Sequence, residues 1–193
     1  VGIPRVLNMY EEFPFWYTLF TEAGFEVKLS SESDFHRYEQ ALGSVMSDNI
    51  CFPAKLVHSH IQELDDMLAS GADDVQKFIF MPYVVFEPMD DSRNTNSYNC
   101  PIVSAYSDVI RSAMKLKNDV VSPVINFRDE KLLQKQICNF LKGYGINKKE
   151  ANSLRTVQLM SAHGKQVHKI LLRMKNHFPI GLYGISMEKT VRI

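Results

Sequence analysis

An α/β fold built on a parallel sheet is predicted by three features of the sequence. Apolar runs of strand length alternate with longer stretches of helical period. One run, Phe78-Ile79-Phe80-Met81, is hydrophobic without a break, as in a strand covered on both faces. Glycines at 24, 71, 143 and 145 stand where the helical stretches end, the position of a helix stop. Together these give a flavodoxin-like (Rossmann-like) parallel sheet of about four strands with helices on both faces, and a C-terminal helical extension. In such a sheet the ligand site lies at the carboxyl ends of the strands.

Taken in order, residues 2–7 form the first strand. A helix follows near residues 13–23, with Phe15, Leu19 and Ala23 on one face. Residues 25–29 form the second strand. Ser33-Asp34 then caps a helix running to about residue 42. Residues 54–68 read as a helix with Leu56, His60, Leu64 and Met67 on one side. The third strand is residues 78–81. The polar stretch 87–99 after it is a long loop, of a kind more often functional than decorative. A helix over 101–116, a fourth strand over 120–127 and a helix over 129–144 complete the first domain, residues 1–146. Residues 147–193 form the extension, in which 147–177 read as one long helix or a helix pair. The chain opens on Val1, already in a strand-like run and without an initiator Met, so it reads as a segment cut from a longer polypeptide.

Composition narrows the function classes. The 193 residues carry 22 basic against 22 acidic side chains, which disfavours a broad basic surface for nucleic acid. No apolar run approaches the length of a membrane span, and no signal-peptide pattern is present. Three widely spaced cysteines do not make a disulfide framework and fit a reducing cytoplasm.

Two of those cysteines share a setting. They lie in Ser47-Asp48-Asn49-Ile50-Cys51-Phe52-Pro53-Ala54-Lys55 and in Asn96-Ser97-Tyr98-Asn99-Cys100-Pro101-Ile102-Val103. Each follows a polar, turn-forming run, and a proline stands one or two residues later, as it does in the first turn of a helix. Each thiol is therefore expected at a positive helix end, where the dipole favours an anion such as thiolate. Thiolate is the form that binds metal or reacts. The alternative is two small buried thiols at helix starts.

The chain resembles a known family along residues 1–146. The resemblance is carried by Ile3-Pro4-Arg5-Val6-Leu7-Asn8-Met9-Tyr10-Glu11, Pro14-Phe15-Trp16 and Gly24-Phe25-Glu26-Val27. It continues through Ser47-Asp48, Cys51-Phe52-Pro53-Ala54-Lys55-Leu56-Val57-His58 and Ser97-Tyr98-Asn99-Cys100-Pro101-Ile102-Val103. These resemble the dehydratase-like domain of acyl-CoA dehydratase activase-related proteins, relatives of the 2-hydroxyglutaryl-CoA dehydratase system. The resemblance implies a [4Fe–4S] cluster held by cysteines, and an ATP-dependent activase module, in cis or in trans, that supplies a low-potential electron. It matches Cys51 and Cys100 to two ligands. The family pattern places a third cysteine after the proline of the third strand, where this chain reads Met81-Pro82-Tyr83-Val84. Tyr83 replaces it, and a cubane takes about four ligands. The cluster is accordingly expected in the full-length protein and not in this segment alone.

Other candidates are weaker. Lys55 and His58 lie near a helix start and are expected to reach the rim of the site. Arg5, at the end of the first strand, suits a phosphate or carboxylate, or a structural salt bridge. His60 shares the apolar stripe and reads as a hydrogen-bonded core residue, two positions from His58 and so on another helix face. His163 and His168, spaced by five, are weaker still. Glu87, Asp90 and Asp91 read as a solvated loop rather than a metal cluster. Pro14-Phe15-Trp16-Tyr17 reads as an aromatic helix start belonging to the core, and Cys138, mid-helix among apolar neighbours, as core packing. No glycine-rich phosphate loop or nucleophilic serine motif occurs.

The leading functional expectation is an iron–sulfur redox module, a non-catalytic part of a larger redox protein. The alternatives are an assembly domain that has lost its cluster and an acyl-CoA-binding domain. A homodimer is a further expected partner; nucleic acid and membrane are not.

Overall fold

A computed structural model of the chain describes residues 1–72, 74–88, 93 and 95–154. Along the chain these form β1 (Gly2–Ile3), α1 (Met9–Glu22), β2 (Lys28–Leu29) and α2 (Phe35–Ala41), which runs into a 3₁₀ turn over Leu42–Ser44. Then come α3 (Phe52–Ala69), β3 (Phe78–Phe80), β4 (Tyr83–Phe86) and α4 (Pro101–Ala113). Last are β5 (Asp119–Val121), β6 (Val124–Asn126), α5 (Glu130–Lys142) and α6 (Lys148–Ser153).

The sheet is parallel throughout, in the order β2-β1-β3-β5, with β4 and β6 paired as a second ribbon. Gly2 pairs with Lys28 on one side and Ile79 on the other, and Ile79 pairs in turn with Val120. The first strand is thus central, as the doubly wound order requires. The expected fourth strand, 120–127, is interrupted by Pro123, and Pro82 stands directly after the expected third, 78–81. Proline has no N–H to give a ladder. The break is bridged where Met81 N–H donates to Val121 O and Tyr83 N–H to Pro123 O, both at 3.0 Å. β4, to which the sequence assigned no element, is therefore a continuation of β3, and the strand expected over 120–127 is β5 and β6 in succession.

Alternation along β3 divides the core. Phe78 and Phe80 pack with Trp16, Leu19 and Phe20 of α1 and with Leu133, Ile137 and Leu141 of α5. Ile79 and Met81 pack on the other face with Val57, Ile61 and Leu64 of α3 and Ile110 of α4. The first face is aromatic: the rings of Trp16 and Phe20 meet Phe80 edge-on, with centroids 4.7 Å and 4.9 Å away. Gly2 sits beneath α3, where a Cβ would come within 3.2 Å of Leu68 and 3.3 Å of Leu64.

Several element limits differ from the sequence expectation. The first strand ends at Ile3 because Pro4 cannot donate and Leu7 turns the chain with φ 55°, a left-handed conformation costly for a branched side chain. The second strand is confined to Lys28–Leu29. α1 begins at Met9, four residues early, so Pro14 lies inside the helix and not at its start. In α3 the buried stripe is Ala54, Val57, Ile61, Leu64 and Leu68, and Met67, expected on it, is exposed. Asp34 caps α2 by accepting from His36 N–H at 2.8 Å, and Asp129 caps α5 by accepting from Leu132 N–H at 3.0 Å.

The expected extension begins as α6, opened by a capping box between Asn147 and Glu150. Ala151 is buried in the same core as α1 and α5. The rest of the expected 147–177 helix, with His163 and His168, lies outside the described residues, as do Asp90 and Asp91. Among the described residues no helix is long and apolar enough to cross a membrane.

Candidate functional site

Cys51 and Cys100 are both exposed, and each is the N-cap residue of its helix: Cys51 of α3, with Pro53 in the first turn, and Cys100 of α4, with Pro101 at the first position. Burial as small core thiols is thus not their role. Neither side chain caps its own helix, which leaves the first amides of both helices without that partner. Because the strands are parallel and both helices run back along them, the two N-termini lie at the carboxyl edge of the sheet, on the face that α3 and α4 share.

Two features hold these helix starts side by side. The first is a buried hydrogen-bond chain. Ser44 Oγ donates to Ala41 O at 2.8 Å, so His58 Nδ1, 2.8 Å away, donates to Ser44 Oγ. His58 Nε2, 3.0 Å from the Tyr106 hydroxyl, then accepts from it. His58 stands seven residues after Cys51 and Tyr106 six after Cys100, about two turns into each helix. The second is a groove of about 370 Å³, in which Met46, Ser47 and Ile50 from the loop before Cys51 face Pro101, Ile102 and Ala105 at the start of α4. Tyr106 also feels Cys51: its pKa is raised, chiefly by burial and then by charge on that cysteine.

The other sequence candidates fall elsewhere. His58 is buried, not on the rim; burial lowers its pKa, and both ring nitrogens are engaged, so it is a tie between helices and not a ligand. Lys55 Nζ donates to Asp48 O at 2.9 Å and braces the loop ahead of Cys51. Arg5 pairs with Glu32 at 3.3 Å and lies over the Tyr10 ring at 5.8 Å, which supports the salt-bridge alternative. The Tyr83 hydroxyl accepts from Arg111, and Arg111 also pairs with Asp108. These α4 partners stand eight and eleven residues beyond Cys100, so the Tyr83 hydroxyl is engaged by residues about two and three turns into α4. His60 is a core residue as expected, between Ser30 Oγ at 2.8 Å and Ser33 Oγ at 2.9 Å. Cys138 is buried, with its thiol donating to Asn152 Oδ1 at 3.4 Å and its pKa raised by burial.

Sequence reasoning missed a carboxyl pair at the same edge. Glu12, in α1, is buried; its oxygens accept from Trp16 Nε1 and Asn8 Nδ2, each at 3.0 Å. Glu87, just past β4, lies close enough for its charge to act on Glu12. Glu87 accepts from Asn99 Nδ2 at 2.7 Å, and the same amide donates to Val84 O at 3.1 Å. Glu87 is therefore not the solvated loop residue expected. Burial, and then the charge of Glu87, holds Glu12 well above the usual carboxylate range; burial also raises Glu87. The available signal was Glu12's place four residues before Trp16, on the buried stripe of α1.

Two thiolates are half of what a cubane takes. Among the described residues no three His, Cys, Asp or Glu side chains converge on one point.

One family model, described as CoA enzyme activase uncharacterised domain, matches residues 1–168. No curated protein and no solved structure matches the chain.

Proposed function

The chain belongs to the CoA enzyme activase domain family named by that model, and from that membership we propose that it is an iron–sulfur-binding redox module. Cys51 and Cys100 supply two thiolate ligands to a [4Fe–4S] cluster, and a partner polypeptide or a second copy supplies the rest. The observation that carries this reading is the placement of two exposed cysteines as N-cap residues of neighbouring helices at one sheet edge. The cluster, when bound, supplies one-electron chemistry at low potential; the chain's own residues place the thiols and exclude water beneath them. The His58–Tyr106 tie fixes the spacing, and Lys55 steadies the loop before Cys51. The electron source is an ATP-dependent activase module, in cis or in trans.

Reconstitution of the longest natural polypeptide with iron and sulfide, without oxygen, tests the reading. Visible absorbance and bound iron are expected in the wild type and lost in Cys51→Ala and in Cys100→Ala. Cys138→Ala retains both. Equal iron in wild type and variants means adventitious metal.

A second reading, an assembly domain without a cluster, is favoured by Tyr83, whose hydroxyl is engaged with Arg111 at the expected third ligand position. An iron-free full-length protein under the same conditions decides for it. Acyl-CoA binding in the crevice at the strand ends rests on the fold alone.

A further inference from the structure

The balance of 22 basic and 22 acidic residues conceals a division along the chain. Residues 131–193 carry 12 basic side chains and 2 acidic ones, whereas residues 1–130 carry the other 10 basic and 20 acidic. The basic part opens on α5, which with α6 encloses a groove of about 770 Å³. We propose that this groove binds a compact polyanion, of the class of a triphosphate chain, between the lysines of α5 and Lys148.

Three lysines of α5 line the groove from one stripe of the helix: Lys131, Lys135 and Lys142, with Cys138 between the last two. Lys148 lines it from α6. Among the described residues none of the four forms an ion pair. Of the carboxylates beside them in sequence, Asp129 accepts from Leu132 N–H at 3.0 Å and Glu150 from Asn147 N–H at 2.9 Å. Neither of these, nor Glu130, lines the groove. Such a stripe works against the fold. Lys131 and Lys135 are like charges at i and i+4, and both lie toward the positive end of the α5 dipole. An anion in the groove offsets both effects.

The floor adds neutral donors. Asn152 Oδ1 accepts from Gln134 Nε2 at 3.1 Å and from the Cys138 thiol at 3.4 Å, which leaves the Nδ2 hydrogens of Asn152 to donate. Asn152 and Gln134 both line the groove. Lysine binds phosphate as a point charge. Lys131 and Lys142 stand about 16 Å apart along the helix axis, so an extended polyanion reaches both and a single phosphate does not. The volume is that of a small-molecule site, and α6 walls one side, which favours a compact ligand over a nucleic-acid strand. Because α5 packs on the sheet face opposite α3 and α4, the inference is independent of the cysteines and of any cluster.

Calorimetric titration of the 193-residue chain with sodium tripolyphosphate tests the proposal. One site is expected, with an affinity that falls as salt rises. Lys135→Gln/Lys142→Gln, which keeps helix-forming residues on an exposed face, should weaken binding about tenfold or more through lost charge-assisted bonds. Lys115→Gln/Lys117→Gln removes the same charge between α4 and β5 and should leave the affinity within about twofold. Inorganic phosphate should bind about tenfold more weakly than tripolyphosphate. Lysine acetylation read by peptide mass spectrometry should show Lys131, Lys135, Lys142 and Lys148 protected by tripolyphosphate. A nucleoside triphosphate that binds more tightly assigns the site to a nucleotide; equal or weaker binding assigns it to the phosphate chain alone. Undiminished binding in Lys135→Gln/Lys142→Gln overturns the proposal, as does an equal loss in the two double variants or protection confined to lysines beyond residue 154. Tighter binding of duplex DNA, lost in the same α5 variant, replaces the compact ligand by nucleic acid.

Discussion

His58 and His60 stand two residues apart on α3 and are both buried, yet they serve separate networks: one reaches Tyr106 of α4, the other Ser30 and Ser33 beyond β2. Their difference was legible from helical spacing. That His58 lay inward as well was not, because the stripe read from Leu56, Leu64 and Met67 is turned by about one position from the buried one. Titration follows from the burial. Burial is the main cause that lowers the pKa of His60 from 6.5 to about 4, against a weaker opposing effect of Glu63. The unfolded chain binds the proton first, so stability is full above pH 6.5 and falls as pH drops toward about 4. The loss is about 3 kcal/mol at 1.36 kcal/mol per pH unit. Glu12 works in the opposite sense. Its pKa is raised above 4.5, so its contribution is full below that value and declines as pH rises through the folded-state pKa. Urea midpoints should therefore fall with acid below pH 6.5 through His60 and fall with rising pH above 4.5 through Glu12, the two opposing each other where they overlap. His60→Gln should flatten the acid limb and Glu12→Gln the opposite one. A stability that rises steadily with pH through both windows contradicts the Glu12 assignment.

At the scale of elements, the proline after each cysteine announced both helix starts, since proline suits a first turn and the residue before it is pushed out of the helix. The strands were less legible. Hydrophobic runs report burial, not ladder bonds, and so do not show that Pro82 and Pro123 split two strands at matching levels. The anchor between α3 and β5 was invisible for another reason, its partners being distant in sequence. Asp65 is buried and accepts from Lys117 N–H, Asn118 N–H and Asn118 Nδ2, at 2.8–3.1 Å. Asp65→Ala strands those donors and should lower stability by about 2–4 kcal/mol. Asp65→Asn, with one accepting oxygen, should lose about half as much. Denaturant unfolding of the two variants checks the order. Tyr106→Phe removes the hydroxyl from His58 and should cost about 1–2 kcal/mol. A neutral result there would mean that the tie between α3 and α4 carries no strain or load.

For the whole molecule, the alternation of strands and helices was enough to predict the parallel sheet and its two covered faces. It was also enough to place the cysteines at one edge, because in this topology every helix that follows a strand starts there. The carboxyl pair escaped notice because Glu12 and Glu87 meet only when α1 and the end of β4 come together at that edge. The match to the CoA enzyme activase domain family spans both cysteines; the proposed use of Cys51 and Cys100 as a joint ligand pair is the step that needs measurement. It is tested most directly by a rigid bismaleimide with a reach of about 8–10 Å, the spacing of two packed helices. Reaction of the folded protein, followed by proteolysis and mass spectrometry, should yield an intramolecular Cys51–Cys100 link and leave Cys138 unmodified. Single-ended labelling of both cysteines, with no link between them, would show that they do not face one site.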